Sequence, residues 1–114
     1  MAEEHSEQRR QRRVAAAVPI QVHGVDAQGM EFEESTDALE VSRRGLSFST
    51  ERDLAVFTSL TVVIPGRGPV RPGEGPTDFF ANAAVVRVQK QGEKSRVSLR
   101  FVGATLPMYT SENL

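Results

Sequence analysis

The sequence predicts an all-β fold, a small six-stranded antiparallel β-barrel preceded by a flexible arginine-rich arm. Several short segments alternate apolar and polar residues with a period of two, the pattern of a half-buried strand. Glycine- and proline-containing turns separate these segments, and short strands divided by such turns are typical of a small barrel. The length of 114 residues fits one domain.

The strands are predicted at residues 18–22, 30–39, 46–48, 60–64, 79–88 and 95–102. In the fifth, Ala81, Ala83 and Val85 fall on one face, and Val86 and Val88 fall on the other together with Ala84. The last strand sets apolar side chains against polar ones, namely Val97, Leu99 and Phe101 against Arg96, Ser98 and Arg100. One face of each strand is therefore expected to line a core.

The connections follow from turn chemistry. Residues 65–76 contain four glycines and four prolines, which predicts a long surface loop without regular structure. Residues 90–93 predict a hairpin turn, and a short helix is the alternative considered for residues 50–58. The predicted organisation is an arm at 1–13, a barrel at 14–103 and a short tail at 104–114.

Composition narrows the classes of function. The chain has no cysteine, which excludes disulfides, thiolate metal sites and thiol catalysis. No segment approaches the roughly 20 apolar residues of a membrane helix, and the start lacks the apolar run of a signal peptide. A net charge of −1 argues against binding to duplex nucleic acid. We therefore expect a cytoplasmic protein without membrane insertion.

Enzyme chemistry is not predicted. No nucleophile–base pair, paired-carboxylate arrangement or metal signature emerges. His5 and His23 are isolated, without a second ligand at metal spacing, so no metal and no cofactor is assigned.

Two polar segments suggest one anion-binding site. Residues 9–13 read Arg-Arg-Gln-Arg-Arg, and no acidic residue occurs between positions 8 and 25. A short turn, residues 40–45 with the sequence Glu-Val-Ser-Arg-Arg-Gly, ends the second predicted strand. Taken singly, an arginine cluster is usually solvated and such a turn is usually only a turn. Their joint occurrence favours a binding site.

These two segments and the strand pattern resemble the PilZ domain family. Arg9 and Arg13 match its RxxxR motif, and Ser42 and Gly45 match the serine and glycine of its [D/N]xSxxG motif. The resemblance implies a barrel fold and binding of the bacterial second messenger cyclic di-GMP. The family's Asp or Asn corresponds to Glu40 in this chain.

The resemblance also implies a set of ligand-binding residues. Arg9 and Arg13 would bind guanine or phosphate, because an arginine fork pairs with either. Ser42 would donate to a phosphate, and Gly45 would provide a positive φ angle or a close backbone approach to the ligand. The remaining candidates are Arg10, Arg43 and Arg44, as further cations, and Glu40.

Glu40 keeps the acceptor chemistry of the family's Asp for the N1 and N2 donors of guanine. Its additional methylene moves the carboxylate oxygens and adds rotamer entropy that binding must remove. We therefore expect weakened binding, and tighter binding in Glu40→Asp if the methylene is the defect.

Three functions are consistent with the sequence. The first is a receptor for cyclic di-GMP that signals through an unknown effector protein, with a homodimer also open. The alternative is a degenerate PilZ domain that has lost nucleotide binding and acts as a protein-interaction adaptor. A barrel that binds single-stranded nucleic acid ranks last, because such sites need aromatic platforms and the chain has no tryptophan and a single tyrosine.

Overall fold

The alternating segments of the chain form strands, as a computed structural model covering residues 18–106 describes them. Within that range every regular element is a strand. The strands are β1 (Val18–Val25), β2 (Glu31–Val41), β3 (Gly45–Thr50), β4 (Ser59–Ile64), β5 (Val70–Arg71), β6 (Gly75–Pro76), β7 (Phe79–Gln91) and β8 (Lys94–Val102).

Six of these strands close into a barrel in the order β1-β2-β3-β8-β7-β4. Every neighbouring pair is antiparallel, and β4 returns to pair with β1, so the sheet has no free edge. This confirms the predicted all-β, six-stranded antiparallel barrel. The predicted arm at residues 1–13 lies outside the described residues.

The barrel interior is filled by the apolar residues of the alternating pattern. Val22, Phe48, Val62 and Val97 are completely buried, and β8 turns Val97, Leu99 and Phe101 inward as expected. The aromatic rings of Phe79 and Phe101 pack edge to face with centroids 5.1 Å apart. Burial of these side chains is the main source of stability for the barrel.

The segment between β3 and β4 is not helical, so the alternative of a helix at residues 50–58 is wrong. Its end extends β4 alongside β7 instead. The Phe57 amide donates to the Val85 carbonyl at 2.6 Å, and the Val85 amide donates to the Thr58 carbonyl at 2.9 Å. Phe57 adopts a φ of 74° and is 84% exposed. Pairing with β7 satisfies the backbone groups that a helix would have paired internally.

The connection between β4 and β7 is more ordered than its composition predicts. Residues 70–71 and 75–76 pair as a two-residue antiparallel ribbon, β5–β6, so the expectation of no regular structure is wrong for these four residues. Gly73 and Gly75 both have positive φ, which makes the tight return possible. Glycine here permits the turn of a small hairpin.

A β-bulge in β7 changes which side chains face the core. Val85 pairs with Leu99 and Arg87 pairs with Ser98, so Val86 is the additional residue. After the bulge Val88 pairs with Val97 and packs partly buried against the core. The prediction that Val88 lies on the face opposite Val85 is therefore wrong, because strict alternation ignores the inserted residue.

The strain at Phe57 yields a prediction. Phe57→Gly should leave the melting temperature unchanged or raise it by a few degrees. A bulky residue in the left-handed region is strained by roughly 1–3 kcal/mol, and glycine adopts this region without that strain. Phe57 is 84% exposed, so little packing is lost. Phe80→Gly, at the second residue of β7, is the control and should lower the melting temperature. Equal decreases in the melting temperatures of both variants would show that Phe57 is not strained.

Candidate functional site

The candidate site lies at the end of the barrel where β2 turns into β3. The β2–β3 loop is closed by its own hydrogen bonds: the Ser42 amide donates to the Gly45 carbonyl at 2.8 Å. The Ser42 hydroxyl donates to the same carbonyl at 3.2 Å and accepts from the Arg44 amide at 3.3 Å. Ser42 therefore shapes the loop, in the manner of a serine that caps a turn.

The backbone of this loop also accepts hydrogen bonds from the end of β8 and from the chain that follows it. The Phe101 amide donates to the Arg44 carbonyl at 2.7 Å, and the Leu106 amide donates to the Arg43 carbonyl at 2.9 Å. Leu106 is itself buried, so the packed core reaches past Gly103. The two carbonyls are held against the barrel while Arg43 and Arg44 remain exposed.

Gly45 has a structural role different from the one first expected. Its φ is not positive, and its close backbone approach is to β8. A Cβ atom at this position would lie 2.0 Å from the Leu99 carbonyl oxygen, a distance that no side chain tolerates. The glycine therefore allows β3 to start directly against β8, which brings the loop next to Arg100, the partner of Gly45 in the ladder.

A second β-bulge determines the direction of Glu40. Ala38 pairs with Phe48, yet Glu40 pairs with Ser47 and Val41 with Leu46, so Leu39 is the inserted residue. Without the insertion Glu40 would face the core opposite Leu46, because side chains alternate strictly along a strand. The bulge turns Glu40 to the outer surface and returns Val41 to the core.

Glu40 is held on that surface by an arginine from β8. Arg96 Nη2 lies 3.1 Å from Glu40 Oε1 and donates to Ser47 Oγ at 3.2 Å. Ser47 is 5% exposed although it faces outward. The three side chains form a polar cluster, Glu40–Ser47–Arg96, across the outer face of β2, β3 and β8.

Further cations lie on the adjacent loop and strands. Arg87 and Arg100 lie on β7 and β8, both exposed, and Arg87 is in the same row across the barrel as Ser98. Among residues 18–106, the side chains of Arg43, Arg44, Arg87 and Arg100 have no ion pair. Such a group of unpaired guanidinium groups attracts anions.

The structure thus brings Glu40, Ser42, Arg43, Arg44 and Gly45 together at one end of the barrel. Sequence reasoning did not assign Ser47, Arg96 or Arg100 to the site, and it favoured an exposed strand arginine over a ligand contact at Arg87. The signal for Arg96 and Arg100 was present, because both occupy the polar face of β8. The sequence pattern does not give the order of the strands, and only the pairing of β3 with β8 places that face beside the β2–β3 loop.

Three predicted site residues, Arg9, Arg10 and Arg13, lie outside the described residues. Among the described residues, Val18 opens β1 and pairs with Ala38, directly before the bulge that precedes Glu40.

Other site types find no support in the described part of the chain. Residues 18–106 hold no group of three or more His, Cys, Asp or Glu side chains arranged to bind a metal ion. They also contain no helix of the length and apolar character needed to cross a membrane.

Comparison with protein families gives one match: the model described as PilZ domain covers residues 7–110. The match includes both the arginine-rich segment and the β2–β3 loop. Comparisons with curated proteins and with solved structures find no significant match.

The close contact at Gly45 yields a prediction. Gly45→Ala should destabilise the barrel by roughly 1–3 kcal/mol, because the added methyl group must push β3 away from the Leu99 carbonyl. Thermal unfolding should show a clear decrease in melting temperature. Ser98→Ala, on the outer face of β8, is the control and should change stability little. A wild-type melting temperature for Gly45→Ala would contradict the contact.

Proposed function

The chain belongs to the PilZ domain family, and we propose on that premise that it is a non-catalytic receptor for cyclic di-GMP. PilZ domains are generally receptor modules for this ligand. The observation that carries the proposal is the juxtaposition, on one outer surface, of the Glu40 carboxylate, the closed β2–β3 loop and four exposed arginines without ion pairs among the described residues.

The ligand's chemistry matches that surface. Cyclic di-GMP carries two phosphate charges and two guanine bases. Arg43, Arg44 and Arg100 would attract the phosphates, and guanidinium forks would also pair with O6 and N7 of guanine. Arg9, Arg10 and Arg13, which precede β1 in the chain, would add further guanidinium contacts to guanine or phosphate.

Two assigned roles are refined by the loop geometry. The Ser42 hydroxyl donates its proton to the Gly45 carbonyl, so its contribution is proposed to be mainly the shape of the loop. Gly45 contributes by allowing the loop to start against β8. Glu40 would accept from the N1 and N2 donors of guanine.

Signal output is proposed to pass through another protein in the cytoplasm. Ligand bound at this surface would create or alter a surface that an effector protein recognises. Alternatively, the ligand would signal by joining two copies of the chain into a homodimer.

One observation favours the second candidate function, a degenerate domain that acts as an adaptor. Glu40 already forms an ion pair with Arg96, which neutralises part of the site without any ligand. A domain whose site is satisfied internally would keep the fold for protein contacts. Direct titration separates the two candidates.

The proposal is tested by calorimetric titration of the protein with cyclic di-GMP, using GTP and cyclic AMP as controls. We expect saturable binding at micromolar or lower dissociation constant, and no comparable binding of the controls. Absence of both heat and a thermal shift at high ligand concentration would reject the receptor and favour the adaptor.

Arg13 gives a residue-level prediction. Arg13→Ala should weaken cyclic di-GMP binding about tenfold or more, equivalent to about 1.4 kcal/mol, because it removes a guanine or phosphate contact. The melting temperature should not change appreciably. Lys90→Ala, at the β7–β8 hairpin on the opposite end of the barrel, removes the same charge and should bind normally. Unchanged affinity in Arg13→Ala would refute this assignment.

A further inference from the structure

We infer that Arg96 is a positioning residue that holds the Glu40 carboxylate for guanine and thereby determines base selectivity. The inference rests on the proposed binding of cyclic di-GMP. Arg96 belongs to β8 and lies outside both sequence motifs. Its role follows from contacts across three neighbouring strands.

The contacts define one geometry for the cluster. A single terminal nitrogen, Arg96 Nη2, lies 3.1 Å from Glu40 Oε1 and 3.2 Å from Ser47 Oγ. That nitrogen carries two hydrogens, enough for one bond to each acceptor. Ser47 is 5% exposed, so the guanidinium is anchored to a nearly fixed side chain as well as to the carboxylate.

Arg96 differs from the other arginines of this surface. Arg87 and Arg100 have no ion pair or side-chain hydrogen bond among residues 18–106, so they are the ones suited to attract phosphate. Arg96 has its guanidinium engaged by Glu40 and Ser47. The Glu40 side chain remains 40% exposed and the Arg96 side chain 31% exposed, and the inferred guanine contact uses the exposed part of Glu40 while the arginine supports it from the strand side.

The ion pair explains how a glutamate can serve at this position. A free glutamate loses more rotamer freedom on binding than an aspartate does. Arg96 restricts the Glu40 rotamers before the ligand arrives, so less side-chain entropy is lost on binding. An aspartate would be shorter by one methylene, about 1.5 Å, and its oxygens would no longer meet Arg96. Glu40→Asp should therefore weaken binding, the reverse of the expectation from sequence.

Base selectivity is the distinguishing consequence. The carboxylate accepts from N1–H and N2–H of guanine, whereas adenine presents an unprotonated N1 at the same edge. Loss of the carboxylate's orientation should therefore reduce the preference for cyclic di-GMP over cyclic di-AMP. A residue that contacts phosphate would affect both ligands equally, since both have the same backbone.

A double-mutant cycle tests the inference. The dissociation constants of cyclic di-GMP and cyclic di-AMP are measured for the wild type, Arg96→Gln, Glu40→Gln, the double variant and Glu40→Asp, with Lys90→Gln as the charge-matched control. We expect each of the first two substitutions to weaken cyclic di-GMP binding about tenfold while cyclic di-AMP changes less than threefold. The double variant should be no weaker than Glu40→Gln alone, because both remove one interaction.

The alternatives give different results. Equal losses for both ligands, multiplied in the double variant, would mean that Arg96 binds phosphate directly and would overturn the inference. Tighter binding in Glu40→Asp or Arg96→Gln would overturn it as well, since the Glu40–Arg96 ion pair would then hinder ligand binding. Failure of the wild type to bind either ligand would reject the proposed function and the inference together. The melting temperatures check folding, and Arg96→Lys, which keeps the charge and loses the fork, replaces Arg96→Gln if that variant unfolds.

Discussion

The insertion of Leu39 into β2 is the constraint on which the candidate site depends. A strand that alternates strictly would direct Glu40 into the core and Val41 into solvent, and both are unfavourable. The bulge at Leu39 reverses both. It buries Val41 beside Leu46 and places a carboxylate on the outer face next to the loop. One inserted residue therefore keeps Val41 in the core and places Glu40 on the outer surface.

The remaining geometry holds this surface in place. The loop after β2 is closed by Ser42 and lies against β8 through Gly45. Its carbonyls accept hydrogen bonds from the end of β8 and from the chain that follows it. The beginning of β1 lies beside the same region. Arg96 connects β8 to β2 through Glu40. The candidate site is thus assembled from segments far apart in sequence, and the pairing of β3 with β8 is what brings them together.

Local pattern was sufficient to predict the strands and the core. The alternation of Val97, Leu99 and Phe101 requires no knowledge of neighbours, and the motif residues Ser42 and Gly45 could be identified from their resemblance to the PilZ motif. The inward position of Val88 and the outward position of Glu40 could not, because each depends on a bulge whose position is set by the partner strand. The contribution of Arg96 was also hidden, since it arises from the β3–β8 pairing. Phe57 shows the same limit, as its conformation is imposed by β7.

Cyclic di-GMP is proposed to bind on the outer face around Glu40, the β2–β3 loop and β8. The most direct test is a two-dimensional amide NMR titration of the protein with cyclic di-GMP. We expect the amides of residues 40–46 and 96–100 to shift together with those of the arginine-rich segment, while those of the β7–β8 hairpin at residues 90–94 do not. Saturable shifts confined to the hairpin or to β4 would contradict the proposed binding surface.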